Sequence, residues 1–132
     1  MAKRFTLGKQ ERLKSRKIIE QLFNEGKKIM VSPFRVFYLF DEIKNLPLQF
    51  GVGVSTKNFK KAVDRNRVKR IIREAYRLQK MPLQGKLKEK NLGLNLFFIY
   101  TAKELTGYKF IYDKMDLVLQ KLMLEVEKQP AK

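Results

Sequence analysis

Apolar positions along the chain change period several times, and each change marks an element. Ile18, Ile19, Leu22 and Phe23 fall at i, i+1, i+4 and i+5, one face of a helix. Ser15 ahead of them suits an N-cap, and Gly26 behind them suits a helix end. Residues 34–40, Phe-Arg-Val-Phe-Tyr-Leu-Phe, are aromatic and β-branched and predict a strand. Asp41 to Asn45 reads as a turn and Leu48 to Thr56 as a second strand, so the two strands are expected to form a hairpin. Gly51 and Gly53 within the second strand mark a bulge or a close backbone approach. Val68, Ile71, Ile72 and Ala75 recur at i, i+3, i+4 and i+7, which predicts an amphipathic helix over about 65–79. Met81-Pro82 predicts its end, and 83–91 reads as a charged loop. Leu92 to Thr101 is apolar at both parities, as expected of a central strand covered on both faces. Met115, Val118, Leu119, Leu122, Met123 and Val126 define a last helix, with Asp113 or Thr106 as alternative starts.

The order helix, strand, strand, helix, strand, helix predicts an α+β fold. Its form is a two-layer sandwich of a small, mostly antiparallel sheet and three helices. The chain reads as a single domain, 1–132, with a basic arm over 1–14 and a short tail over 128–132. Strand 48–56, helix 65–79 and strand 92–101 form a crossover unit if those strands are parallel, and such units are right-handed as a rule. In strand 34–40, Phe34, Val36, Tyr38 and Phe40 point one way and Arg35, Phe37 and Leu39 the other. One face covers the core. The other either packs under the first helix or stays open as a stacking platform for unpaired bases.

Charge narrows the function. Thirty Lys and Arg against 13 Asp and Glu give +17, a balance that opposes compaction unless a polyanion meets it. The absence of Cys excludes disulfides and thiolate zinc sites. The absence of His removes the side chain that titrates nearest neutral pH. The carboxylates are scattered, so neither general acid–base chemistry nor a two-metal site is indicated. No run reaches the roughly 18 to 20 apolar residues of a membrane span. The reading is a cytoplasmic protein with no membrane association and no obligate protein partner.

The cations concentrate in two places. The arm carries Lys3, Arg4, Lys9, Arg12 and Lys14. Residues 57–80 hold ten more, among them Lys57, Lys60 and Lys61. Arg65, Lys69, Arg73 and Arg77 lie at i, i+4, i+8 and i+12 and make a stripe, which Arg67 and Arg70 widen to one flank. Like charges at that spacing repel by a few tenths of a kcal/mol per pair, so the face suits phosphate better than water. Asn66, between two arginines, fits either a base-edge or sugar contact or a place near the helix start.

The run Phe59-Lys60-Lys61-Ala62-Val63-Asp64-Arg65-Asn66-Arg67-Val68-Lys69-Arg70-Ile71-Ile72-Arg73 resembles the signature of the protein subunit of bacterial ribonuclease P. The resemblance covers about residues 9–125. It implies a left-handed βαβ crossover around the basic helix, which composition does not suggest. It implies a role in 5′ maturation of precursor tRNA, with catalysis by a partner RNA. Mg²⁺ would be held mainly by that RNA and none by the protein alone. By the same resemblance Arg65, Asn66, Arg67, Lys69, Arg70 and Arg73, with Lys57, Lys60 and Lys61, face the RNA subunit. A cleft between the first helix and the sheet would take the single-stranded 5′ leader, with Phe23, Phe37, Ile19, Lys9 and Arg12 as its members. The family often has a further aromatic one turn before Phe23, where this chain has Ile18 and Ile19. Asp64 reads as an N-cap. A general nucleic-acid binder would explain the charge but not the run 59–73, and a stand-alone nuclease would need chemistry the chain lacks.

Overall fold

A computed structural model describes residues 11–41 and 47–131. The expected turn after Asp41, and Lys3, Arg4 and Lys9 of the arm, lie outside the described residues. Four helices and four strands follow in the order α1 (Arg16–Glu25), β1 (Lys27–Val31), β2 (Phe34–Asp41), β3 (Leu48–Val54), α2 (Ala62–Gln79), α3 (Met81–Lys90), β4 (Gly93–Tyr100) and α4 (Tyr108–Lys128).

The expected hairpin of 34–40 with 48–56 does not form. The sheet order is β1-β2-β4-β3, so β4 lies between the two strands that were expected to pair. β4 runs antiparallel to β2, from Phe34 opposite Tyr100 to Asp41 opposite Gly93, and parallel to β3, from Leu48 opposite Leu94 to Val54 opposite Tyr100. The β3–α2–α3–β4 connection is therefore a crossover between parallel neighbours. β1 pairs with β2 instead, as an antiparallel ribbon turning through Ser32-Pro33. Lys27 and Lys28 disguise β1 in the sequence, and only Ile29 and Val31 of it lean on the core.

The segment 83–91 is helical rather than a charged loop. Pro82 stands in the first turn, where its missing N–H costs nothing, and Leu83 and Leu87 lie one turn apart and fully buried. Asn91 ends α3 in the left-handed region at φ 55°. The other ends shift modestly. α2 starts at Ala62 with Lys61 as N-cap, so Asp64 is not the cap; it sits in the first turn, where its charge suits the helix dipole. α4 starts after Gly107 and reaches Lys128. Ser15 caps α1 as expected, its Oγ accepting from the Ile18 N–H at 3.3 Å.

The sheet separates two apolar clusters. Phe34, Val36 and Tyr38 of β2 and Leu94, Leu96, Phe98 and Tyr100 of β4 face the large core under α2, α3 and α4. Val68, Ile72, Ala75 and Tyr76 are the buried side of α2. The Tyr76 ring stacks on Phe50 of β3 at 3.9 Å with a 7° tilt. On the other face Phe37, Leu39, Phe97 and Ile99 meet Leu22, Ile18 and Ile19 of α1, together with buried Leu13. Of the two alternatives for this face, packing under the first helix is the one the chain adopts over most of it.

Candidate nucleic-acid interface

α2 carries the first surface. With Val68, Ile72, Ala75 and Tyr76 turned to the core, geometry fixes what the remaining positions see. Val63, Asn66, Arg67 and Arg70 fall at i, i+3, i+4 and i+7, line one shallow depression, and are all exposed. Arg67 also borders a neighbouring depression with Lys60, Lys61 and Lys103. This flank holds cations with few carboxylates; Asp64 lies at its margin.

The stripe Arg65, Lys69, Arg73 and Arg77 is half-buried throughout and forms the border of that face. Arg65 is partly committed elsewhere: its Nη1 donates to the carbonyls of Phe59 and Lys60, both at 2.8 Å, and so ties the β3–α2 loop to the helix. Arg77 forks onto Glu74, with Nε to Oε1 at 3.0 Å and Nη2 to Oε2 at 2.5 Å. That hydrogen bond holds the Glu74 carboxyl below its ordinary range and raises Arg77. Burial pushes the Arg73 guanidinium below its ordinary value, and the like charge of Arg12 adds to the shift. Lys57 is exposed in the loop after β3, where its N–H donates to Ser55 Oγ at 3.0 Å.

The second surface lies where α1 crosses the outer face of the sheet. Phe23 is 43% exposed and meets Phe37 edge-on at 4.9 Å and Phe97 at 5.5 Å. Phe37 itself is buried, and the Lys28 ammonium lies over its ring at 5.5 Å. Of the expected leader residues, Phe23 therefore offers an open ring, Phe37 is the floor beneath it, and Ile19 packs half-buried beside them. Phe97, on the central strand, is a member that sequence reading missed. The two glycines make its position possible. A Cβ on Gly51 would lie 2.7 Å from Phe97 Cδ1 and 3.0 Å from the Leu13 carbonyl, and one on Gly53 3.1 Å from the same ring. The Phe97 ring lies across β3 because β3 has no side chains there.

Arg12 is not inside this aromatic surface. It pairs with Phe50 on the free side of β3, and the Leu13 N–H donates to the Phe50 carbonyl at 2.8 Å. This end of the arm is thus fixed along the sheet edge, near Arg73 of α2. Among the described residues no three His, Asp or Glu side chains gather into a metal site, and no helix is long and apolar enough to cross a membrane.

Comparison with known proteins agrees with this arrangement. The family model for ribonuclease P matches residues 7–123. The ribonuclease P protein component of Porphyromonas gingivalis is 37% identical over 123 residues, spanning 92% of this chain and 87% of the relative. That of Legionella pneumophila is 34% identical over 111 residues, spanning 78% and 96%. Among solved structures, the RNase P protein from Thermotoga maritima superposes with a TM-score of 0.65 at 25% identity, covering 84% of this chain and 96% of that one. The basic helix, the mixed sheet and the sequence matches together establish that this chain belongs to the ribonuclease P protein family, as its protein component.

Proposed function

We propose that this protein binds the catalytic RNA of ribonuclease P through α2 and steadies the 5′ leader of precursor tRNA beside α1, in the cytoplasm. The observation that carries the reading is the exposed flank Asn66, Arg67 and Arg70, continuous with Lys60, Lys61 and Lys103. Guanidinium forks there can take phosphate oxygens two at a time, and the Asn66 amide can donate and accept against a sugar or base edge. Lys69 and Arg73 border the same face, and Arg65 holds the loop that carries Lys60 and Lys61 in place. Lys57 adds charge at the margin. Phe23 offers its ring to an unpaired base, supported by Phe37 and Phe97, while Lys9 of the arm supplies a backbone contact; Arg12, on the β3 edge, lies outside this surface.

The hydrolytic chemistry belongs to the RNA in this reading. The chain has no His, and its described carboxylates do not converge. Mg²⁺ held by RNA phosphates would supply charge neutralisation and an activated water. The protein's part is to position substrate and screen RNA repulsion. The test is cleavage of precursor tRNA by the protein alone, the RNA subunit alone, and both, in Mg²⁺. Activity is expected with both and none with protein alone. Robust cleavage by nuclease-treated, RNA-free protein would refute the assignment. Binding without any effect on cleavage would reduce the protein to a general RNA binder.

A further inference from the structure

The two surfaces lie on different layers of the fold: the cationic flank on α2, the aromatic ring beside α1 on the opposite face of the sheet. Residues 11–13 run between them along the free edge of β3. Leu13 is buried in the outer cluster with Leu22 and Phe37. Glu11 reaches the other way, to the corner where α2 meets α3. Its carboxylate forms an ion pair with Lys80 and accepts from Gln84 Nε2 at 3.2 Å. Lys80 is 1% exposed and is the one charged side chain buried to that degree among the described residues. It is the residue at which α2 ends and α3 begins.

A buried ion pair is a poor device for stability, because desolvating two charges offsets most of their attraction. Apolar side chains would fill the same corner at least as well. What the pair does supply is a fixed position for the chain that carries Glu11. Arg12, the next residue, is exposed and lies opposite Phe50, whose ring stacks on Tyr76 one turn from Arg73 on α2, and the two guanidinium charges oppose each other. Two guanidinium groups brought to the same edge of the fold suit a backbone phosphate that meets both.

We infer that the Glu11–Lys80 ion pair is a positioning device for RNA binding, pinning residues 11–13 to the β3 edge so that Arg12 and Arg73 together take one backbone phosphate. Lys80 itself, being buried, touches no RNA. The inference rests on the proposed function. It adds that an acidic residue in the arm strengthens binding to a polyanion, opposite to its own charge.

That opposition of sign is the test. Binding to the RNA subunit is measured across a salt series for wild type, Glu11→Gln, Arg12→Ala and the double variant, beside their melting temperatures. Glu11→Gln raises the net charge by one, so bulk electrostatics alone would tighten binding. Here it weakens binding several-fold, and the slope of log K against log salt falls by about 1. Arg12→Ala, an exposed position, loses the same slope at an unchanged melting temperature. The double variant loses no more than Arg12→Ala alone. Because Glu11→Gln leaves the Lys80 charge buried without its carboxylate, Glu11→Gln with Lys80→Met is the companion; it preserves net charge and shows the same loss. Tighter binding by Glu11→Gln would overturn the inference. So would an unchanged slope for Arg12→Ala, or a companion variant that melts lower while keeping the wild-type slope. A wild-type protein that fails to bind the RNA subunit would instead sink the proposed function, and this inference with it.

Discussion

Truncating Phe23 and truncating Phe37 should have opposite signatures, although both rings belong to one aromatic group. Phe23 is 43% exposed and meets Phe37 and Phe97 in T-shaped contacts, whereas Phe37 is 7% exposed. Edge-to-face pairs are worth about 0.5 to 1.5 kcal/mol each beyond the area they bury, so the two contacts contribute on the order of 1 to 3 kcal/mol, to which the partial burial of Phe23 adds. Phe37→Ala opens a cavity under α1 and costs about 3 to 5 kcal/mol. If the exposed ring stacks on one leader base, Phe23→Ala removes roughly 1 to 3 kcal/mol of binding, about five- to 150-fold in affinity. Mature tRNA has no leader, and its affinity should hardly change. The assay is equilibrium binding of precursor tRNA with a 5′ leader and of mature tRNA to the reconstituted holoenzyme, alongside melting of each free variant. Equal losses for both RNAs, following the fall in melting temperature, would assign Phe23 to packing and remove the leader from this surface.

Arg67→Ala and Arg70→Ala should each lower the salt slope of RNA-subunit binding by about 1 at constant melting temperature, since both side chains are exposed. Arg65→Ala should differ by lowering the melting temperature as well, by the loss of two hydrogen bonds to the Phe59 and Lys60 carbonyls worth roughly 1 to 3 kcal/mol together. Gly51→Ala should destabilise by about 1 to 3 kcal/mol in chemical denaturation and increase protease cleavage near Leu13, because its Cβ would lie 2.7 Å from the Phe97 ring and 3.0 Å from the Leu13 carbonyl; an unchanged midpoint would show that ring and arm can both give way.

Much of the fold was legible because burial imposes a period. The alternation of β2, the apolar run of β4 and the buried positions of α2 and α4 all lie on the faces that spacing assigned. What was not legible is long-range or locally ambiguous. β2 and β3 are neighbours in sequence, and no residue in either announces that β4 inserts between them. α3 carries a Pro and a Gly within ten residues, so its short apolar pair Leu83 and Leu87 is outweighed until the core is seen. On the candidate interface, residue types were readable and their division of labour was not. Arg65, Arg67 and Arg77 look alike in sequence; structure ties the first to a loop, exposes the second and pairs the third with Glu74. Phe97 escaped notice because an aromatic in an apolar strand looks like core, and only the glycines of β3 opposite it mark the difference.

The central place of β4 sets an order on how the chain can fold as it is made. β2 and β3 bond to β4 and not to each other, so until residues 93–100 have left the ribosome the native pairing open to the three strands already synthesised is the β1–β2 ribbon, and β3 has no partner strand. Two-stranded ribbons are marginal in water on their own. The nascent chain therefore displays the cations of α2 before the strand that seats that helix exists. For that interval the basic segment lacks its native seat amid ribosomal RNA, and late, non-local strand pairing is the slow class of folding step. Sheet order thus separates in time the moment the chain can attract nucleic acid from the moment it can hold it in one geometry.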